Sequence, residues 1–265
     1  MPSPLHPYGT RPDLPDHRDG FFEAPKRILA RLPARVDLRP RCPPIYNQGP
    51  LNSCTANALA AAIWFEALKT DPAALAPSRL FIYYNERSAE RQPRCNVPCS
   101  LRDGHRAVET FGACPETQWR YVIDNFSVRA PKRCYSEGLN HRVAAYLRVP
   151  RELRHMKACL SQALPFTLGM SVYSSFESSA VKRSGVAPMP KPGEQVVGGH
   201  AVMVVGYDER KACFIVRNSW GTRWGQAGYF LLPYAYVMSE KEYAWDFWTI
   251  TELAAVDART RRGRR

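Results

Sequence analysis

The stretch QGPLNSCTANAL (residues 48–59) puts a cysteine at the mouth of what reads as a helix, six residues after a glutamine. A Gly-Pro-Leu turn and an Asn-Ser pair lead into Cys54, and small helix-forming residues run on through Ala62. For a cysteine taken alone, a small thiol buried in a core helix is the ordinary reading. The rest of the chain decides whether that reading holds.

Working outward, the apolar positions Ala58, Leu59, Ala62, Ile63, Phe65 and Leu68 are crowded enough to predict a helix from Cys54 to about Lys69, buried on most sides. Asp71-Pro72 marks its end. Ser78, following Pro77, opens a second helix over residues 78–87, and a third runs over 104–111 and stops at Gly112. Residues 88–100 and 112–141 read as loop-rich. Upstream, Pro43-Pro44 forces an extended stretch, residues 32–40 are a short extended segment, and residues 1–33 read as an irregular extension rich in proline and charge.

The second half changes character. Residues 166–172, 201–207, 212–217, 229–232 and 247–251 are short runs rich in β-branched or aromatic side chains, with Gly or Pro between them. A helical half followed by an antiparallel β half predicts an α+β fold with a groove between the two.

Composition narrows the function classes. At 265 residues the chain can bury one large core or two modest ones. There is no apolar run near ~18 residues, so no membrane span is expected. The N-terminus has no apolar segment of the kind a secretory signal needs, which leaves cytoplasmic residence or export by a signal-independent route as the expectation. The formal net charge of +13 comes mostly from scattered arginines. No nucleic-acid module shows its spacing, and no specific nucleic-acid partner is expected. The one basic cluster, RTRRGRR at residues 259–265, reads as a solvated, disordered tail.

Eight cysteines form no metal pattern. Cys95 and Cys99, in CNVPC, come nearest, but no second pair follows at zinc spacing, so neither a metal nor another cofactor is expected. Cys159 and Cys213 sit among apolar neighbours and read as buried thiols. Cys42, Cys95, Cys99, Cys114 and Cys134 lie in loop-like, Pro-flanked segments, where a disulfide or two is expected.

Two further segments bear on Cys54: GGHAVMVVGYD (residues 198–208) and RNSWGTRWGQAGYF (residues 217–230). His200 starts a strand after Gly198 and Gly199, two glycines that allow close approach. Asn218 ends the next strand, ahead of Ser219-Trp220-Gly221. Alone, His200 reads as structural and Asn218 as a turn residue. Together with a helix-leading cysteine they supply a nucleophile, a base and a group that orients the base, which is what thiol acyl transfer needs.

On these residues the chain resembles the papain-like cysteine peptidases. The family's run around the nucleophile is matched by Leu51-Asn52-Ser53-Cys54-Thr55, with His200 lying 146 residues beyond Cys54 and Asn218 lying 164 beyond. The Gln48-to-Cys54 gap, the GHAV segment and the NSWG-x-x-WG-x-x-GY run fit as well, and the likeness spans roughly residues 33–250. It implies a two-lobed fold: an extension over 1–33, a helical lobe over 34–147 carrying the nucleophile, and a β-barrel lobe over 148–258 carrying His and Asn. It implies a peptidase acting, as a monomer, on peptide or protein substrates, with Cys54, His200 and Asn218 catalytic and Gln48 in the oxyanion hole. Trp220, Gly199 and Gly169 are its candidate substrate-binding positions, with Trp220 shielding the His–Asn bond. Pairing with His200 at a helix N-terminus would hold Cys54 as a thiolate, well below the roughly 8.5 of a free thiol. Two other readings share these residues: a papain-fold peptide-binding module with little activity, and a related thiol acyl transferase, a deamidase or transpeptidase.

The chain departs from the family pattern around the nucleophile. Leu51 stands where a disulfide cysteine is usual, Asn52 replaces a glycine and is expected to tolerate a left-handed turn, and Thr55 replaces an aromatic residue, which is expected to loosen packing. The paired glycines that line the substrate backbone correspond to the region of Cys99-Ser100. Gly169 falls near the floor of the pocket for the residue before the cleaved one, where a glycine implies a deep pocket. Residues 1–33 are too few for the family's helical prodomain, and read either as a plug in the groove or as an arm packed on the surface.

Overall fold

The computed structural model describes residues 8–241 and 243–254; the basic tail at 259–265 lies outside them. The chain starts with an arm that contains β1 (Thr10–Arg11) and a single helical turn, α1 (Lys26–Leu29), and then enters β2 (Arg35–Asp37). The helical half holds α2 (Cys54–Leu68), α3 (Arg79–Ala89), the two-residue β3 (Cys99–Ser100), α4 (Leu101–Phe111) and the short α5 (Lys132–Gly138). The β half holds β4 (Val143–Arg148), α6 (Leu153–Ser161), β5 (Phe166–Tyr173), β6 (Val196–Asp208), β7 (Cys213–Arg217), β8 (Tyr229–Pro233) and β9 (Ala244–Leu253).

Local chemistry sets the helix limits. Ser78 and Ser100 each accept a hydrogen bond from a backbone N–H of the following turn, Phe81 N and Asp103 N, and so cap α3 and α4. Gly112, at φ +65°, ends α4 in a conformation that a side chain would strain. Helix α2 is buried on nearly all sides, as its crowded apolar positions predict.

The large sheet runs β4-β9-β5-β6-β7-β8, with β2 added to β6. All of its strand pairs are antiparallel. Helix α2 lies against β6 and β9, so the N-terminal end of the helix meets the strand that carries His200. The core between helices and sheet is filled by large side chains such as Phe65, Tyr83, Phe166 and Phe230, all with under 2% exposure. Each such burial contributes about 1.5–3 kcal/mol relative to an exposed side chain.

Three expectations change. Strand β4 and helix α6 were not read from the sequence, and β6 begins at Val196, ahead of His200, rather than at Ala201. All eight cysteines are free thiols, so no disulfide forms in the loops. Residues 8–22 do not lie on an open face. They enter the groove, where β1 pairs in parallel with β3 and Phe22 is buried. Among the described residues no helix is long and apolar enough to cross a membrane.

Candidate active site

The backbone of Ser53 (φ −103°, ψ 23°) is non-helical, which makes Cys54 the first residue of α2. The N–H groups of a first turn have no intrahelical acceptor and form the positive end of the helix dipole. Ser53 does not cap them with its side chain; its Oγ lies 2.6 Å from Tyr121 Oη instead. Leu51 is buried, and Asn52 is held by Asn96, whose Oδ1 accepts from Asn52 N at 2.8 Å. The left-handed residue of this turn is Gly49 (φ +58°), not Asn52. Asn52 replaces the expected glycine through side-chain hydrogen bonding. Thr55 is fully buried and donates to Glu86 Oε1 at 2.7 Å, so packing at that position is tight, not loose.

The Gln48 side chain is fixed from both ends. Its Oε1 accepts from Ser219 Oγ at 2.7 Å and its Nε2 donates to Leu51 O at 3.0 Å. Backbone bonds fasten the same segment across the groove, Gln48 N to Ser219 O at 2.9 Å and Gly221 N to Tyr46 O at 2.9 Å. Tyr121 Oη donates to Gln48 O at 2.9 Å.

Across the groove, buried His200 lies 2.8 Å from Asn218 Oδ1 through its Nε2. Asn218 Oδ1 also accepts from Ser219 N at 2.8 Å, which sets the amide as acceptor and the His200 Nε2 as donor. Trp220 stacks on the imidazole, with ring centroids 4.8 Å apart and 27° between planes. The next residue of β6, Ala201, packs against Cys54. The structure therefore brings Gln48, Cys54, His200, Asn218 and Trp220 to one place. Gly169 sits one strand over, pairing with Ala201. The space above it is filled by the Trp245 indole, with which a side chain at Gly169 would collide.

Of the two readings of residues 1–33, a plug in the groove or an arm on the surface, residues 8–11 follow the first: they cover this place. Tyr8 stands edge-on to both His200 and Trp220, at 6.3 and 6.2 Å between centroids, and donates to Glu177. Gly9 turns its carbonyl to Cys99 N at 3.1 Å. A side chain at Gly9 would strike the Asn52 backbone, and one at Gly199 would strike the Thr10 carbonyl. Gly199 thus permits close approach of a chain, and the chain that uses it is the arm.

Covered in this way, the Cys54 thiol is wholly buried, and burial pushes it up to about 12. The N–H groups of Ala201, Gly9 and Thr55 work in the opposite direction, toward the anion, but do not prevail. The expected low value is therefore not what this arrangement gives, because the arm takes the thiol away from water. The missed residues, Tyr8, Gly9, Tyr121 and Ser219, had one legible signal among them: Ser219 sits inside the Asn-Ser-Trp-Gly run.

The profile of the papain family cysteine proteases matches residues 32–242. The chain belongs to that family. An uncharacterized peptidase C1-like protein of Acanthamoeba polyphaga mimivirus is 36% identical over 271 residues, covering 93% of this chain and 87% of the viral protein. Xylellain, a cysteine protease from Xylella fastidiosa, superposes with a TM-score of 0.87 at 38% identity, over 93% of this chain and 96% of that one. Procathepsin B from Trypanosoma congolense shares the fold alone, with a TM-score of 0.74 at 19% identity over 92% of this chain and 85% of its own. A papain-family cysteine peptidase is what the chain is; the match holds the two-lobed arrangement of helices and antiparallel sheet.

Proposed function

We propose that this peptidase is an endopeptidase that hydrolyses peptide bonds in peptide or protein substrates through a Cys54–His200 pair and an acyl-enzyme intermediate. The carrying observation is the 2.8 Å bond from His200 Nε2 to Asn218 Oδ1. It commits one ring nitrogen as donor and reserves Nδ1 for the proton of Cys54. Once substrate replaces the arm, the thiolate attacks the carbonyl carbon. The oxyanion is received by Gln48 Nε2 and the Cys54 N–H, the first free donor of α2. His200 Nδ1 then protonates the leaving amine, the C–N bond breaks, and a water deprotonated by the same nitrogen releases the acyl group.

The arm makes the described state a resting one. Gly9 presents its N–H to the thiol, and its carbonyl is taken by Cys99 N.

The test is labelling by an epoxysuccinyl electrophile, read by intact mass, beside hydrolysis of an unbiased peptide mixture. A single adduct that Cys54→Ala abolishes, with new amine termini inside the peptides, is the expected result. An adduct without hydrolysis would make the fold a peptide-binding module, and deamidated or ligated products would make it a different acyl transferase.

A further inference from the structure

Where β1 lies along β3, the arm delivers a cation to an acidic recess. Thr10 pairs with Cys99 and Arg11 with Ser100, and the Arg11 guanidinium forms an ion pair with Glu90. Glu90 sits at the C-terminal end of α3 with its side chain 11% exposed. Its carboxyl neighbours that of Asp103, in the first turn of α4, and the two repel each other electrostatically. Asp103 is held in place by Ser100 Oγ at 2.8 Å. One turn back along α3, Glu86 is fully buried, its Oε2 has no well-formed hydrogen bond among the described residues, and Asp103 acts on it electrostatically. Three carboxyls thus converge beneath the strand edge that the arm occupies, and the guanidinium of Arg11 is the cation seated there.

That edge is also where a substrate chain must lie once the arm has gone. Gly9 stands over Cys54, and Arg11 is two residues further along the arm. Withdrawing Arg11 leaves Glu90 and Asp103 facing each other in a half-enclosed site, where two neighbouring carboxylates repel and a cation relieves them. Because Arg11 is itself 52% exposed, its hold is modest, and a basic side chain of the incoming chain can replace it.

We propose that Glu90 and Asp103 form a subsite for an arginine or lysine of the substrate, about two residues from the cleaved bond, which Arg11 fills at rest. The proposal rests on the endopeptidase reading above. It assigns the arm a second role: Arg11 is a pseudosubstrate side chain as well as part of a cover.

The full chain is assayed on peptides randomised at three positions to either side of the cleaved bond, with Cys54→Ala as the blank. At the responding position, wild type is expected to turn over Arg or Lys about tenfold faster than Leu, a discrimination of the size given by one partly buried charge pair. In Glu90→Gln/Asp103→Asn this ratio should fall to within about twofold. The ratio is internal to each preparation, so partial misfolding cancels; Asp103→Asn alone, which keeps an acceptor for Ser100, provides a second variant with an intermediate ratio. Cys54-dependent hydrolysis with no preference for a basic residue in wild type overturns the subsite and leaves the endopeptidase intact. So does a double variant in which every substrate speeds up alike, because Glu90 would then be only a latch for the arm. No Cys54-dependent hydrolysis of any peptide overturns the endopeptidase reading, and the subsite falls with it.

Discussion

The proposed catalytic centre and the arm that covers it are held by different forces. At the centre, Gln48, Ser219 and Tyr46 are tied by backbone and neutral side-chain hydrogen bonds across the groove, and His200 is flanked by Asn218 and Trp220. The arm has two paired residues in β1 and a bridge at Phe21. Beyond those it is held by the buried Phe22, by Tyr8 against His200 and Trp220, and by charge. Arg148 reaches Asp13 at 3.0 Å, Asp19 at 2.6 Å and Asp246 at 3.0 Å, while Arg102 also holds Asp19. Trp248 Nε1 donates to Asp13 at 2.9 Å. The carboxylates of Asp13, Asp19 and Asp246 are at most 9% exposed beside Arg102 and Arg148, so salt screens these pairs little, whereas removing one partner leaves uncompensated charge behind. The centre is thus tied by many neutral hydrogen bonds, while much of the hold on the arm converges on two arginines, Arg102 and Arg148.

Three outcomes would break or sharpen that contrast. Gln48→Ala should lower kcat about 100- to 1000-fold, the usual loss for one oxyanion donor, with a small change in KM. An unchanged kcat in steady-state assays would remove Gln48 from the proposed centre. Next in size is a pH effect at the base of the centre. Burial raises Glu86 to about 8, so it is neutral at pH 7 while its unfolded counterpart is ionised. A carboxyl with a raised folded pKa binds more protons folded than unfolded. Its contribution to stability is therefore fully present below the unfolded value of about 4.5 and is lost as pH rises toward and through 8. The unfolding free energy of wild type, from urea titrations, should fall between pH 5 and 9 by on the order of 2 kcal/mol, and Glu86→Gln should flatten that slope. The smallest effect belongs to the arm. Arg148→Ala should speed epoxysuccinyl labelling of Cys54 about tenfold by leaving Asp13 and Asp19 without their shared cation, whereas several hundred millimolar salt should change the rate by no more than about twofold. A rate indifferent to Arg148→Ala would mean that the arm is as fixed as the centre.

What the sequence made legible follows the same division. Helix α2 was read from crowded apolar positions, and α3 and α4 from Ser78 and Gly112, because periodicity and caps act locally. Strand β4 was missed since its pairing with β9 is interrupted by register shifts around Ala145, which breaks the alternation that marks a strand. The residues of the centre were legible because each lies in a run of fixed spacing. The arm was not, since its placement depends on separate carboxylates meeting Arg102 and Arg148 from distant parts of the chain, and prolines give it no period. Thr55 shows the limit most clearly. Its departure from an aromatic residue looked like lost packing until Glu86, 31 positions away, was found accepting its hydroxyl.

The bond between Gln48 and Ser219 spans 171 positions, and this has a bearing on biosynthesis. Helix α2 emerges early in translation with its thiol exposed, while the segment that orients the glutamine amide is made near the end of the chain. Contacts of such long range form late, since their loop closure must be met before they contribute. On the proposed mechanism, the nascent polypeptide then carries the nucleophile through most of its synthesis before the oxyanion site is assembled. On that reading, proteolytic activity is expected only after the last strands have been added.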